Sequence, residues 1–346
     1  MLKNSIYPRV SVIILNWNGG ADTLECLESL YQNNYPNYDV VLVDNNSEDD
    51  SLEKIKEYCS GQITVESKFF QYQAENKPIK IIEYLEKDGD IKPNISKNDG
   101  DGSPSVNNLI IIKTERNHGF AGGNNIAIKY ANNFLNPDYI LLLNNDTVQD
   151  QEFLIELVKT AESDEHIGFV GAKTYFYNKN NTIQVAGGAN VSFKHIITLE
   201  IGLNQIDDGS YDKNMELDYI GGSCVLCKRD MLEKIGLMDT KYFMYWEDAD
   251  WGFRGNEFGY KSIYSYKSRI WHKVGASSKS YFQEYYFNRN RIYFMKKNRK
   301  GMKFYKFLAN FLRVQFLHES KNLLMNKRDM KGFYIYVKAI IVGIIT

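Results

Sequence analysis

Three groups of polar residues in this chain have side chains that perform chemistry. The first is Asn144-Asn145-Asp146, which follows the apolar run 139–143 directly. A carboxylate at the exit of a strand is well placed to bind a divalent cation. The second is the acidic run Glu247-Asp248-Ala249-Asp250, and the third is the pair Trp271-His272. Together these groups predict an enzyme.

The acidic run has two readings. Carboxylates in the first turn of a helix stabilise the helix dipole without any catalysis. Clustered carboxylates also repel one another, which raises the pKa of at least one toward the range useful for a base. Trp246 and Trp251 flank the run and would wall a pocket, and Arg254 is placed to pair with an acid or a phosphate. The flanking residues favour catalysis.

The elements that must position these residues alternate between strands and helices. Apolar runs at 10–15, 40–43, 109–112 and 139–143 have the composition of strands buried on both faces. A helical pattern at 21–33 separates the first two. This alternation predicts an α/β fold with a doubly wound, mostly parallel sheet and with ligands outside the carboxyl ends of the strands.

A glycine-rich segment, 116–125, lies between the third strand and a helix predicted at 126–133. Glycines at a strand-to-helix turn let backbone N–H groups approach an anion such as a diphosphate. The spacing matches neither common phosphate-binding motif, and a glycine-rich turn also serves as simple punctuation. Both readings stay open for this segment.

Residues 59–108 break the strand-helix rhythm. Their charged, Gly-rich and Asn-rich composition predicts a variable, partly disordered insertion at the edge of the sheet. Phe69-Phe70 and the run 79–82 are candidates for a short hairpin within it. We expect the rest of 1–284 to form one catalytic domain.

The last part of the chain, 285–346, is predicted to be helical and is strongly basic. It carries fourteen Lys and Arg against two acidic residues, although the whole chain has a net charge of −1. This asymmetry predicts docking on an anionic surface. The apolar stripe Phe304, Phe307, Leu308, Phe311 and Leu312 has helical spacing. Such a helix lies on a membrane or packs against the catalytic domain.

Cysteine usage and the N-terminus predict a cytoplasmic protein. Four scattered cysteines do not form a disulfide framework, and the pair Cys224 and Cys227 has no second pair to complete a zinc site. The first residues lead into a strand without an apolar signal region. The run 333–345 is too short for a membrane span and contains Lys338. We therefore expect a peripheral protein on the inner face of the cell membrane.

The motifs resemble, in order and spacing, those of family 2 glycosyltransferases with the GT-A fold, and above all the rhamnosyltransferase-like members. The resemblance covers residues 8 to about 300 apart from the insertion. It rests on Asn16-Trp17-Asn18-Gly19, Asp44-Asn45-Asn46-Ser47, Asn117-His118-Gly119-Phe120-Ala121-Gly122-Gly123-Asn124-Asn125, Asn144-Asn145-Asp146 and the acidic run with its flanking tryptophans.

The resemblance implies an inverting transfer of a sugar from a nucleotide-diphosphate sugar to a hydroxyl of a glycan or lipid-linked acceptor. It also implies a divalent metal, Mn²⁺ or Mg²⁺, bound by Asp146 and His272, and the alternative for His272 is an ordinary histidine that caps a strand end. Asp248 would be the base, with Glu247 beside it, and Trp246, Asp250 and Arg254 would contact the acceptor. The donor would be bound by Asn16, Asp44, Arg116, Gly119, Gly122, Asn124 and Asn145.

One position departs from the family pattern. Asn144 stands where the family has a carboxylate, and a neutral amide coordinates a cation more weakly.

The competing readings are a sugar nucleotidyltransferase and a non-catalytic carbohydrate-binding relative. The segment 10–20 lacks the basic, Gly-rich activation loop of the former, and the presence of Asp146 and Asp248 disfavours the latter. Nucleic-acid binding through the basic tail is weaker still, and we expect no nucleic-acid partner.

Overall fold

The structure is a computed structural model that describes residues 7–93, 108–193, 197–273 and 280–346. The strands are β1 (Val10–Asn16), β2 (Tyr38–Asp44), β3 (Lys80–Lys87), β4 (Asp90–Pro93), β5 (Asn108–Thr114), β6 (Tyr139–Asn144), β7 (Thr147–Gln149), β8 (Ile167–Phe176), β9 (Ile183–Ala186), β10 (Gly188–Ser192), β11 (Ile197–Glu200), β12 (Met215–Leu217), β13 (Tyr219–Ile220), β14 (Cys224–Lys228) and β15 (Lys261–His272). The helices are α1 (Gly20–Tyr31), α2 (Ser51–Ser60), α3 (Gly119–Tyr130), α4 (Phe153–Ala161), α5 (Arg229–Ile235), α6 (Glu247–Glu257), α7 (Tyr281–Asn298), α8 (Met302–Phe311), α9 (Leu317–Lys321) and α10 (Met330–Ile345).

The main sheet confirms the predicted fold class. Its strand order is β12-β15-β8-β14-β6-β1-β2-β5-β3-β4, with β7 paired to β15 and β9 paired to β8. The adjacent strands β6, β1, β2, β5 and β3 run parallel, whereas β14 runs antiparallel between β6 and β8. A separate small sheet has the order β11-β10-β13.

The central strands are buried on both faces because alternate side chains enter two different cores. In β1, Val12 and Ile14 face the layer of α1, α2 and α4, whereas Ile13 faces the layer of α3, α5 and α6. A strand with a period of two therefore needs an apolar side chain at every position. The continuous apolar runs of the sequence follow from this arrangement.

The segment after α2 is only partly an insertion. β3 lies parallel to β5 at the edge of the main sheet and forms a hairpin with β4. The predicted hairpin partner Phe69-Phe70 forms no strand, and the Phe69 ring packs on Trp271 with ring centroids 4.5 Å apart. Residues 94–107 belong to the segment that was predicted to be partly disordered, and they lie outside the described residues.

The C-terminal helices are present as predicted, and their apolar stripe faces inward except for Leu312, which is exposed. Phe304 and Phe311 are buried in a cluster that also contains Trp246 and Phe294, with Phe307 and Leu308 packed against it. Leu312 belongs to a second set of apolar side chains that are exposed, and we call this set the outer apolar surface. It consists of Met302, Tyr305, Leu312, Val314, Leu317, Met325, Met330, Tyr334, Ile341 and Ile345.

Two further expectations concern the cysteines and membrane spans. All four cysteines are free and buried, and Cys224 and Cys227 lie on β14 inside the main sheet. Burial raises the pKa of the Cys224 thiol to about 12, which suits a small apolar core residue. Among the described helices, none combines the length and hydropathy needed to cross a membrane.

Candidate functional site

Strand register brings the first polar residues together at the carboxyl edge of the parallel strands. Asn16 lies beside Asp44 in the β1–β2 pair, and Leu15 lies beside Asn144 in the β1–β6 pair. Asn16 Nδ2 donates to Asp44 Oδ1 at 3.0 Å and to Ser47 Oγ at 3.1 Å. Both Asn16 and Asp44 are buried, so this pair also fixes the loop that follows β2.

Asn145, the residue after β6, joins the same network. Its Nδ2 donates to Thr23 Oγ1 at 2.9 Å, and Thr23 Oγ1 in turn donates to Asn16 Oδ1 at 3.0 Å. Three of the predicted donor-binding side chains, Asn16, Asp44 and Asn145, therefore meet at one place. Arg116 is exposed in the loop that follows β5.

The glycine-rich segment differs from its prediction, because α3 begins at Gly119 instead of after the glycines. Gly119 has a φ of +71°, and a Cβ atom there would lie 2.6 Å from the carbonyl oxygen of Phe243. That same oxygen accepts a hydrogen bond from Ala121 N at 3.2 Å. The Phe243 backbone therefore covers the start of α3, which favours the punctuation reading of this segment over the diphosphate reading.

The other residues of that segment have structural contacts of their own. A Cβ atom at Gly122 would lie 2.8 Å from the Cβ of His118. Asn124 is buried, and its Nδ2 donates to the Phe120 carbonyl at 3.0 Å. These contacts give Gly119, Gly122 and Asn124 a packing role, and we do not include them in the proposed donor site.

The two predicted metal ligands are adjacent. His272 Nε2 and Asp146 Oδ1 are 3.0 Å apart. They meet because β7 and β15 pair with Thr147 opposite His272, and Lys273 N donates to the Asp146 carbonyl at 3.0 Å. Residues 126 positions apart in sequence are therefore fixed by strand pairing.

The charge environment keeps Asp146 ionised. Burial alone would raise the pKa of this carboxyl, but the hydrogen bond and charge of His272, together with the Lys273 charge, outweigh it and lower the pKa. Lys273 is itself held by Asp22 at 2.6 Å and Glu25 at 2.7 Å. An ionised carboxylate is the form that binds a cation.

The donor set fits a cation that is bound jointly with a substrate. An Asp oxygen and a His nitrogen converge, while the described residues contain no group of three or more His, Cys, Asp and Glu side chains able to hold a metal ion. Ions such as Mg²⁺ are commonly held by one or two carboxylates plus substrate phosphates. Asn144, the first position of the triplet, is half-buried at the end of β6.

The acidic run begins α6, as its helix-dipole reading expected. Trp246 precedes the helix with a φ of +72°, and Asp248 Oδ1 accepts from Ala249 N at 2.8 Å. Asp248 Oδ2 accepts from Gly222 N at 3.3 Å. The next residue, Ser223, accepts from Asn144 N at 3.0 Å. The short loop 221–223 therefore links the acidic run to the end of β6.

Burial shifts the pKa values in the acidic run upward. It raises the pKa of Asp248 to about 6, against the lowering effect of the two backbone N–H donors. Burial and the neighbouring Asp248 raise the pKa of Glu247 well above its usual range. Glu247 Oε2 is buried and accepts no hydrogen bond from the described residues. Near neutral pH the arrangement favours a protonated Glu247 beside an ionised Asp248.

Two predicted acceptor contacts are engaged elsewhere. Asp250 is buried and pairs with Arg254 at 3.1 Å and with Lys297 at 2.9 Å. The Arg254 guanidinium also donates to the carbonyls of Ile235 and Leu237. Asp250 and Arg254 therefore join α6 to α7 and to the turn after α5. We do not include them among the proposed acceptor contacts.

Trp246 is also buried, and its ring packs on Phe287 and Phe294. Its Nε1 has no hydrogen-bond partner in the described part of the chain. Asp248 is half-buried and lines a small space with Gly222, Phe120 and Trp251. Of the acidic residues in this run, Asp248 is the one that is only partly buried.

Two residues near the site carry no motif and were not predicted. Gln184 Oε1 lies 2.9 Å from His272 Nδ1. Lys273 lies against Asp146 as described above, and its position next to His272 was the only available signal. Nothing in the sequence around Gln184 distinguishes it from any other strand residue.

Comparison with known proteins identifies the class. A family model described as "Glycosyltransferase like family 2" matches residues 101–294, and a second, "Glycosyl transferase family 2", matches residues 11–73. The first match alone spans more than half of the chain. The chain therefore belongs to the family 2 glycosyltransferases, as the motifs predicted.

Individual relatives are more distant. The chain is 25% identical over 150 residues to the low-salt glycan biosynthesis hexosyltransferase Agl10 of Haloferax volcanii, which is 43% of this chain and 47% of that protein. It is 37% identical over 60 residues to an N-acetylglucosaminyl-diphospho-decaprenol L-rhamnosyltransferase of Mycobacterium tuberculosis, 17% of this chain and 20% of that protein. The chain thus spans less than half the length of these curated relatives.

Solved structures confirm the GT-A fold. The mannosyltransferase PcManGT from Pyrobaculum calidifontis, in complex with GDP-Man and Mn²⁺, superposes with a TM-score of 0.56 at 15% identity, covering 99% of this chain and 88% of that one. GalNAc-T7 with UDP, GalNAc and Mn²⁺ gives a TM-score of 0.57 at 16% identity, covering 85% and 48%. At these identities the likeness concerns the fold alone.

Proposed function

We propose that this protein transfers a sugar from a nucleotide-diphosphate sugar to a hydroxyl group, with inversion at the anomeric carbon. The observation that carries the proposal is that one short loop links two carboxylates, one with a lowered pKa and the other with a raised pKa. Asp146 pairs with His272 and is kept ionised, and Asp248 has a raised pKa. The loop 221–223 joins the end of β6 to Asp248.

In this proposal the donor lies across the carboxyl ends of β1, β2 and β6. Asn16, Asp44 and Asn145 shape the nucleotide side, and the exposed Arg116 reaches the donor from the loop after β5. Asp146 and His272 would hold Mn²⁺ or Mg²⁺ together with the donor diphosphate. The cation would neutralise the charge that develops on the leaving diphosphate.

Asp248 acts as the general base. Its carboxylate takes the proton of the acceptor hydroxyl, and the freed oxygen lone pair forms the new bond to the anomeric carbon. The bond from that carbon to the diphosphate oxygen breaks, and its electron pair leaves with the nucleotide diphosphate. One displacement by one base inverts the configuration. A base with a pKa near the working pH is the efficient choice.

Glu247 sets the state of Asp248 without taking the proton. It is buried beside Asp248, and its raised pKa keeps it neutral, so that only one of the two neighbours is charged. The acceptor would enter on the side of Gly222, which lines a small space together with Asp248. A glycan or a lipid-linked glycan as acceptor agrees with the activities of the Haloferax and Mycobacterium relatives.

The test is donor binding followed by transfer. Thermal shift with UDP-, GDP- and dTDP-sugars, with and without Mn²⁺, should give a metal-dependent increase for one donor class, because a bound ligand stabilises the fold by mass action. Product analysis by NMR should then show inverted anomeric configuration. Release of pyrophosphate from a nucleoside triphosphate and a sugar 1-phosphate would instead identify a nucleotidyltransferase.

We further propose peripheral attachment to an anionic membrane through the outer apolar surface, at the inner face of the cell membrane. Leu312, Val314 and Leu317 are exposed on the helical segment that also exposes Lys303, Lys306, Arg313 and Lys321. Exposed apolar side chains beside cations are the combination that binds an anionic interface.

Vesicle sedimentation tests this attachment. Deleting 302–346 would remove the buried Phe304 and Phe311, so surface substitutions are the sharper variants. A triple change of Leu312, Val314 and Leu317 to Ser should reduce sedimentation with phosphatidylserine vesicles. Binding by the unaltered protein should fade as salt rises, since the Debye length is about 8 Å at 0.15 M. Equal sedimentation of the triple variant would refute the attachment.

A further inference from the structure

The most informative unassigned contact of the candidate site is made by Gln184. This residue lies on β9, which pairs antiparallel with β8, and β8 in turn pairs with β15. From there Gln184 Oε1 reaches His272 Nδ1 at 2.9 Å. The other ring nitrogen, Nε2, lies 3.0 Å from Asp146 Oδ1. The imidazole is therefore held between a neutral amide on one side and a carboxylate on the other.

The chemistry of these two contacts is different. An amide oxygen only accepts hydrogen bonds, so the imidazole nitrogen that faces it carries the hydrogen. In the metal-free protein the opposite nitrogen, Nε2, donates to the Asp146 carboxylate. A cation shared by the two side chains would take the place of that proton and bind the Nε2 lone pair. A partner that fixes the second nitrogen in this way orients the ring and sets its tautomer.

We propose that Gln184 is a positioning residue that holds His272 in the tautomer and orientation that bind a divalent cation. This inference rests on the proposed metal-assisted function. It assigns a role to β9, which carries none of the recognised motifs. Because the partner is a neutral amide, it fixes the ring without adding a second negative charge next to Asp146.

Direct titration of Mn²⁺, followed by electron paramagnetic resonance with UDP or GDP present, measures the proposed effect without any transfer reaction. We expect Gln184→Leu to weaken Mn²⁺ binding roughly 10- to 100-fold, the usual cost of removing such an outer partner. Gln184→Glu keeps an acceptor oxygen for Nδ1 and should restore binding to at least the original affinity. Gln205→Leu is the matched control, since Gln205 is exposed on the neighbouring segment whose carbonyl accepts from Ile183 N.

The tautomer supplies a second readout. In ¹⁵N NMR of histidine-labelled protein with Mg²⁺ and a nucleotide diphosphate, His272 should show hydrogen on Nδ1 only, and Gln184→Leu should raise the fraction with hydrogen on Nε2. Circular dichroism on each variant checks that the sheet is intact.

Two results would overturn the inference, and only one of them would also overturn the metal-assisted function. If Gln184→Leu binds Mn²⁺ as tightly as the unaltered protein while Asp146→Ala loses it, Gln184 has no positioning role and the metal-assisted function stands. If the unaltered protein binds no Mn²⁺ with either nucleotide, the metal-assisted function fails and the inference fails with it.

Discussion

Asp146 and Asp248 are carboxylates linked through one short loop, yet their surroundings shift their pKa values in opposite directions. At Asp146 the neighbouring His272 and Lys273 overcome the effect of burial and lower the pKa. At Asp248 burial prevails over two backbone donors and raises it. The first environment suits a carboxylate that stays ionised and binds a cation. The second suits a carboxylate that accepts a proton. Two carboxylates with separated pKa values divide the chemistry between them.

The largest effect should come from removing the base. Asp248→Asn keeps the size and hydrogen-bonding shape of the side chain but accepts no proton. Single-turnover transfer should fall by roughly 10²–10⁴, the typical contribution of a general base. The dissociation constant of the donor should barely change, because Asp248 is assigned no contact with it.

Asp208→Asn provides the matched control, since Asp208 is exposed and lies outside the site. Near-normal turnover of Asp248→Asn would remove the base assignment. If the variant lost donor binding instead of turnover, Asp248 would be a contact of the donor or the metal and not the base.

Asp146→Ala should produce the next largest effect, and it should act on binding. Without this carboxylate only His272 remains of the proposed metal pair, so the donor should no longer stabilise the protein in a manganese-dependent way. At a donor concentration of 100 times Kd the lost stabilisation corresponds to about 2.7 kcal/mol. The protein without donor should stay folded, and an unchanged donor affinity in manganese titrations would exclude the metal role.

The comparison also predicts a pH limb. Because Asp248 must be ionised to accept the proton and its pKa is raised to about 6, single-turnover transfer should decrease as pH falls through about 6. Below that point the decrease approaches tenfold per pH unit. The same profile in Asp248→Asn should lack this limb, and a limb that persists there would belong to another group.

Glu247→Gln tests whether Glu247 is a protonated neighbour of Asp248 or a second general base. Glutamine imitates the protonated carboxyl, so turnover should fall much less than in Asp248→Asn. A carboxyl whose folded pKa is raised holds its proton more tightly than the unfolded chain does, so stability is lost as pH rises above the unfolded value of about 4.3. The variant should therefore be more stable than the unaltered protein at pH 8 and equally stable near pH 4, as measured by urea unfolding at both pH values.

Much of the fold was predictable because burial on both faces leaves a continuous apolar pattern. The strands at Val10–Asn16, Tyr38–Asp44 and Tyr139–Asn144 could be read directly. Strand β3 was missed as part of the main sheet because it lies near the edge and its residues are mostly half-buried or exposed. An edge strand with one covered face does not carry the same pattern.

The site was predictable where a motif follows a strand and less so where tertiary contacts decide. Asp146 and His272 meet as expected, yet Asp250 and Arg254 share the acidic helix and point into an ion-pair network with Lys297. Helix periodicity alone does not tell which side of α6 faces α7. Phe243, which covers the start of α3, comes from a loop more than a hundred residues away. Such a long-range contact leaves no local signal.

The smallest predicted effect concerns Asn144, where the chain departs from the family's carboxylate. Asn144 is half-buried at the end of β6, two residues before Asp146. Asn144→Asp adds a negative charge near the proposed cation, so Mn²⁺ binding should tighten by on the order of 1 kcal/mol, or about fivefold. The gain should be modest because a second carboxylate also repels Asp146 when no metal is bound. The variant should leave the pH limb of Asp248 in place, since only the cation side of the comparison is altered. Calorimetric titration with Mn²⁺ and a nucleotide diphosphate measures the change, and an unaltered dissociation constant would show that residue 144 points away from the cation.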